Sequence, residues 1–321
     1  MEELIKNFPT QFSWRPEIQS GGQLRPAQSF IVCGMGGSAL AAGLVKLYDP
    51  TFDLLIHRDY GLPRVPEYFL KQSLIILSSY SGNTEEVLDT GRQASERGLN
   101  LVVIASGGKL LDWAKEQNLP FIQIPDPSLP PRMALGYSLM ALAKLAGRDD
   151  WSGELAELPQ LLKPEEFKAQ GKALAEKLSG RTPLIYSSTT NWSLAYIWKI
   201  KFNETAQIPA FWNILPESCH NELLGFDLPK TQKELAKSFH GLFLEDDEDG
   251  SRVKKRFAVL RQLYEERGLL VETINLTGVK SWLKIFSNVL LADWVTFYLA
   301  QSAGVDPEAE VLVEEFKRLI A

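Results

Sequence analysis

Ser79-Tyr-Ser-Gly-Asn-Thr-Glu-Glu86 places three hydroxyls, Ser79, Ser81 and Thr84, within six residues, just after an apolar run and just before a helical pattern. Hydroxyls donate hydrogen bonds to anions, and the free N–H groups of a helix amino end add a partial positive charge aimed the same way. Glu85 and Glu86 suit the first turn of such a helix. A helix cap needs only one of these hydroxyls, so three together point to a compact anion such as a phosphate monoester. Gly34-Met-Gly-Gly-Ser-Ala39 has the same placement, after one apolar run and at the start of a helix. There Gly36, Gly37 and Ser38 let an anion approach the backbone. The segment also fits the loose dinucleotide pattern, with Asp59 about 20 residues further on, where such folds hold a ribose-binding acid. By itself it leaves a plain tight turn, a nucleotide site and a sugar-phosphate site open.

A second set of residues could move protons. Pro130-Pro-Arg-Met-Ala-Leu-Gly-Tyr137 puts Arg132 just before a helix, where a guanidinium can sit over an anionic intermediate, pair with a phosphate, or form a surface ion pair. Glu204 lies near the end of an apolar helix, with Phe202, Phe211 and Trp212 close by in sequence. A carboxylate among apolar groups is pushed toward the pKa of a useful general base. His220 lies in Glu217-Ser-Cys-His-Asn-Glu222 between polar neighbours, whereas His57 ends a strand pattern and His240 begins one, which suits structural roles. No pair of these histidines has metal-ligand spacing, so no metal site is expected.

Alternating strand and helix patterns must position these groups. Ser29–Cys33, Phe52–His57, Ser73–Ser79, Leu101–Ala105 and Phe121–Ile124 read as strands of the first half, with helices over 39–48 and from Thr84 to about Arg97. In the second half Pro183–Tyr186 and His240–Leu244 read as strands, with helices over about 193–202 and from about Val253 to Glu266, then a further strand. Apolar strands joined by helices predict an α/β fold with parallel sheets covered on both faces. Glu96-Arg-Gly-Leu99 and Glu266-Arg-Gly-Leu269 both sit between a helix and a strand, which suggests a duplicated unit. Leu145–Pro164, with its glycines, prolines and acids, reads as the linker between domains at 1–150 and 151–321. Where the first half has its serine loop, the second has Glu245-Asp-Asp-Glu-Asp249, read as a solvated acidic loop that would repel phosphate. A single anion site would therefore belong to the first half.

Composition narrows the partners. The chain has 321 residues, 34 basic against 40 acidic, a net charge of −6 and 45% hydrophobic residues. These are globular values with no basic excess for nucleic acid. Two cysteines, Cys33 and Cys219, cannot make a disulfide framework and fit a reducing cytoplasm. No signal peptide is legible at the amino end, and the uncharged stretch 26–45 is too polar and glycine-broken to span a membrane.

Together these segments resemble the bifunctional phosphoglucose/phosphomannose isomerases, a branch of the sugar isomerase (SIS) domain superfamily. The similar stretches are Gly34–Ala39, Ser79–Glu86, Pro130–Ser138, Phe202-Asn-Glu204 with Pro209-Ala-Phe211, His220-Asn-Glu222, and Gly304-Val-Asp-Pro307 with Glu314-Glu-Phe-Lys317. They span nearly the whole chain in the family's order. The resemblance implies two SIS-type, flavodoxin-like three-layer α/β/α domains related by duplication. It implies phosphate binding by Gly36, Gly37, Ser38, Ser79, Ser81 and Thr84. Glu204 then matches the base that moves a proton between C1 and C2, Arg132 the arginine beside the enediolate, and His220 and Lys317 the groups assigned to ring opening and closing. It further implies hexose 6-phosphate substrates, no cofactor, and a homodimer in which His220 reaches the partner's site. The chain departs from the family pattern with Thr205 after Asn203-Glu204 and with Ser218-Cys219 before His220, which bears on substrate preference more than on reaction type. Two other classes remain open at this point. A phosphosugar sensor would need the serine loops but not Glu204, His220 and Lys317 together, and a nucleotide-dependent dehydrogenase would use the glycine loop.

Overall fold

The computed structural model describes the chain except residues 21–23, 126–127, 230–232, 280 and 321. Helix α1 (Glu2–Asn7) and a 3-10 turn (Phe8–Ser13) come first. They lead into β1 (Ser29–Cys33), α2 (Leu40–Tyr48), β2 (Leu54–His57), α3 (Glu67–Gln72), β3 (Ser73–Ser78), α4 (Glu85–Glu96), β4 (Leu101–Ala105), α5 (Gly108–Glu116), β5 (Phe121–Gln123), α6 (Leu135–Leu145) and α7 (Asp149–Leu161). The remainder is α8 (Lys168–Leu178), β6 (Thr182–Ser188), α9 (Trp192–Glu204), β7 (Phe211–Leu215), α10 (Lys233–Ala236), β8 (Phe239–Asp246), α11 (Ser251–Glu266), β9 (Leu270–Leu276), α12 (Trp282–Ala303) and α13 (Val311–Ile320).

The chain divides into two compact units, Asn7–Leu161, and Met1–Lys6 with Leu162–Ala321. In the first, five parallel strands take the order β2-β1-β3-β4-β5. Strands β1, β3 and β4 are buried along their whole length, because helices cover both faces of the sheet. In the second, four parallel strands take the order β7-β6-β8-β9. This is the first order without its fifth strand, as duplication of an α/β unit predicts. The two Glu-Arg-Gly-Leu segments close their helices alike: Leu99 N–H donates to Ala94 O and Leu269 N–H to Tyr264 O, both at 3.0 Å.

Several sequence expectations change here. Leu145–Pro164 is not a linker, since it holds α7. That helix packs with the first unit through Trp151, which is buried against Tyr48 and Phe52 with Arg148 over its ring. The division therefore falls after Leu161 rather than after residue 150. Met1–Lys6 joins the second unit instead, held there by Lys168–Glu2 and Lys6–Glu165 ion pairs. The segment Phe211–Leu215, read only as aromatic neighbours of Glu204, is the edge strand β7. Its exposed Phe211 breaks the buried-strand pattern that marks the central strands. The acidic loop is largely built in: Glu245 pairs with Arg261, and Asp246 is buried, pairs with Lys284 and accepts from Asn191 Nδ2 at 3.1 Å. Burial also pushes the Asp249 carboxyl above the usual carboxylate range.

One helix among the described residues, α12, is long and apolar enough to cross a membrane, yet most of it is buried within the second unit. There it carries buried Asn288 and Asp293 and packs on α8 and α9. Burial raises the Cys33 thiol to about 12.

His240 on β8 is buried, and desolvation holds its imidazole below the ordinary histidine range. The unfolded chain protonates this group at its ordinary pKa, near 6.5, while the folded chain resists. Folding stability should therefore fall as pH drops through that value. Melting curves between pH 7.5 and 5.5 should slope less steeply for His240→Leu, and an unaltered slope would remove His240 from the acid response.

Candidate active site

In the first unit the glycine loop, the serine loop and the arginine meet at the carboxyl edge of the sheet. The glycine loop leaves β1 and turns through Gly36–Ala39 into α2. Gly37 lies so close to the next segment that a Cβ there would stand 2.7 Å from Pro131 C and 2.8 Å from Arg132 N. The serine loop leaves β3 beside it. Ser78 Oγ donates to Ser38 O at 2.8 Å, and Tyr80 N–H donates to Ser38 Oγ at 2.9 Å. Within the serine loop the Ser79 and Thr84 hydroxyls are 2.8 Å apart, and Gly82 N–H donates to Ser79 Oγ at 3.1 Å. Gly82 is required: its φ is +68°, and a Cβ would fall 1.8 Å from Gly107 O.

Thr84 is the N-cap residue of α4, yet its side chain makes no cap hydrogen bond. Its hydroxyl turns to Ser79 instead, so capping does not account for the run of hydroxyls. The Arg132 side chain is wholly buried, in a 3-10 turn (Pro131–Met133) that precedes α6. Its backbone N lies against the glycine loop, so a buried arginine is carried next to that turn. Asp59, the candidate ribose acid, is exposed and accepts from Tyr60 N–H at 2.8 Å.

The second unit carries the other candidates. Glu204 is half-buried at the last turn of α9. That helix is fixed to α12 by a buried Lys201–Asp293 ion pair and by Trp198 Nε1 donating to Asn288 Oδ1 at 2.8 Å. Breaking such a pair strands a buried charge, so it holds the helix in one position. Of the three aromatic neighbours in sequence, Phe202 is in the core and Phe211 is exposed.

His220 is exposed at the end of a 3-10 turn (Glu217–His220) that follows β7. Its turn is held by Glu222, which accepts from Tyr186 Oη on β6 and from Asn213 Nδ2 on β7. Asn221 caps the next turn by accepting from Glu222 N–H, and donates to Glu217 Oε1 at 2.8 Å. Sequence reasoning gave Glu222 no role, since a hydrogen bond to a residue 36 positions away leaves no local signal. Lys317 is exposed on α13 and pairs with Glu314 at 2.6 Å.

Within this unit Glu204 and His220 lie at opposite edges of the sheet. The 13 residues of α9 run back about 20 Å from the carboxyl end of β6. The parallel strand β7 then runs forward about 16 Å to the turn that holds His220. The root of α13 is at the Glu204 edge, because Gln207 Nε2 donates to Asp306 O at 2.8 Å.

The bifunctional phosphoglucose/phosphomannose isomerase of Aquifex aeolicus (strain VF5) is 33% identical over 329 residues, covering 99% of this chain and 98% of that protein. This chain belongs to that family. The family's enzyme from Caldicellulosiruptor bescii is 32% identical, over 100% of this chain and 99% of its own. Residues 167–320 match the family described as bacterial phospho-glucose isomerase C-terminal SIS domain. Among solved structures, a glucose-6-phosphate isomerase like protein from Thermus thermophilus aligns with a TM-score of 0.63 at 18% identity, over 97% of this chain and 95% of that one. At that identity it supports the fold alone.

Proposed function

We propose that the protein interconverts glucose 6-phosphate and mannose 6-phosphate with fructose 6-phosphate through a cis-enediolate, without a metal ion. What carries this reading is the meeting, in the first unit, of Gly36–Ser38, Ser79–Thr84 and buried Arg132. Gly36, Gly37, Ser38, Ser79, Ser81 and Thr84 hold the phosphate. Binding energy from that unreacting group keeps a short, mobile sugar in register for proton transfer. Glu204 takes the proton from C2 of the open-chain aldose and returns it to C1 of the enediolate, which gives the ketose. Arg132 offsets the negative charge that develops on the enediolate oxygens, the role a metal would otherwise fill. His220 and Lys317 move the proton that opens and closes the ring.

The site is shared in a homodimer, with His220 supplied by the partner. Opposite placement of Glu204 and His220 on the sheet of one chain supports this, as does the exposure of the His220 ring. The reaction belongs in the cytoplasm, where two free thiols, Cys33 and Cys219, persist. Protein treated with a strong chelator should convert both aldoses at undiminished rates. Loss of activity on chelation, restored by a divalent ion, would overturn the metal-independent reading.

A further inference from the structure

Glu222 stands two residues after His220 and is half-buried. Its carboxylate bridges two strands: Tyr186 Oη on β6 donates to one oxygen and Asn213 Nδ2 on β7 to the other. Tyr186 is buried, and its Oη lies 3.1 Å from Tyr264 Oη on α11, which is buried as well. Among the described residues no cation pairs with Glu222, so its side-chain partners are all neutral. Taking a carboxylate partly out of water with only neutral donors around it costs free energy, which calls for a reason.

Both donors are themselves fixed. Burial pushes the Tyr186 and Tyr264 hydroxyls above the ordinary phenol range, so Tyr186 keeps its proton at any working pH. Asn213 Oδ1 accepts from Ile214 N–H at 2.8 Å, which leaves Nδ2 to face Glu222. The rest of the His220 turn has only local polar ties. Cys219 N–H donates to Pro216 O at 3.1 Å, Asn221 Nδ2 donates to Glu217 Oε1 at 2.8 Å, and buried Ser218 Oγ has no partner. Cys219 and Leu223 pack on the core of this unit, but apolar packing is non-directional. Orientation has to come from hydrogen bonds, and those that reach the sheet run through Glu222.

We propose that Glu222 is a positioning residue for His220: by bridging β6 and β7 it fixes the direction in which the exposed imidazole leaves the sheet. The catalytic consequence, efficient ring opening, rests on the reading of His220 given above; the placement of the ring does not.

Exchanging donor and acceptor tests this in the full chain. Asn213→Asp alone sets two carboxylates against each other. Adding Glu222→Gln restores the bridge with roles reversed, because the new carboxamide donates to position 213 and still accepts from Tyr186. Glu222→Ala loses both bonds. With ring-labelled histidine the chain gives three imidazole signals by NMR, and His57 and His240 serve as internal references. In Asn213→Asp and in Glu222→Ala the His220 signal alone should shift and gain mobility. In the Asn213→Asp, Glu222→Gln variant it should return most of the way. Ring opening is read as exchange between the anomers of glucose 6-phosphate, in a Glu204→Gln background where isomerisation is stopped. Asn213→Asp should slow that exchange at least tenfold, and the double exchange of residues should recover most of the loss. A His220 signal indifferent to both single variants, three histidine signals that move together, or a double variant no better than Asn213→Asp would each overturn the positioning. His220→Ala in the anomer assay separates the two readings. If it leaves anomer exchange unchanged while the imidazole signals behave as expected, the ring-opening role of His220 falls and its placement by Glu222 stands. If it slows exchange and Asn213→Asp does not, the positioning falls alone.

Discussion

Glu204→Gln lowers kcat by about 10²- to 10⁴-fold, the usual contribution of a positioned general base, while fructose 6-phosphate still binds. The carboxamide keeps the side chain's size and removes its basicity. The helix that carries residue 204 stays in place, because α9 is held to α12 by Lys201–Asp293 and Trp198–Asn288. The informative measurement is therefore exchange of the C1 and C2 protons of bound sugar with solvent. Exchange should fall together with turnover. If it continues at a near-normal rate while net isomerisation stops, Glu204 serves ring chemistry and another group is the base.

Ser81→Ala combined with Thr84→Ala acts on the other half of the machinery. Hydrogen bonds to a charged group contribute about 1.5–3 kcal/mol each, so losing two should lower kcat/KM by about 10²- to 10⁴-fold. Most of the loss should appear in KM, because the phosphate is held equally in ground and transition states. Stability should fall only modestly: the Thr84 side chain does not cap α4 and Ser81 is exposed, so the bonds lost within the loop are the Thr84–Ser79 hydroxyl contact and that from Asn83 N–H to Ser81 Oγ. Ser79 is left in place because its Oγ accepts from Gly82 N–H and so also holds the loop. Protection against heat by inorganic phosphate should vanish in the double variant. Unchanged kinetics would remove the loop from the site.

The parts of the fold legible in the sequence were those whose signal is local. Fully apolar runs such as Ser29–Cys33 and Leu101–Ala105 became central strands within a residue of the expected bounds. The serine and glycine loops lie at strand ends, where their spacing put them. The edge strand β7 was hidden because only its last residue is buried. Helix α7 was hidden because its Gly153 and Pro159 resemble linker composition, while the contact that fixes it, Trp151 on Phe52, joins residues 99 apart. The built-in character of Asp246 depends on Lys284, 38 residues away. Glu222 and Gln207 escaped for the same reason, since each acts through partners that sequence proximity does not reveal. Glu204, His220, Lys317 and Arg132 were named from residue type and family resemblance, and topology adds which of them share an edge of a sheet.

One base for two aldoses is the central claim. Glucose 6-phosphate and mannose 6-phosphate differ only at C2, and the enediolate erases that difference. If C2 can turn about the C2–C3 bond while the phosphate stays held, Glu204 can return the proton to either face. Chelated protein is given glucose 6-phosphate alone in D2O and followed by NMR. Fructose 6-phosphate should appear first and mannose 6-phosphate later, with deuterium at C2 of the mannose product. A mixture that stops at glucose and fructose 6-phosphates, or mannose 6-phosphate that keeps the original C2 proton in full, would contradict it.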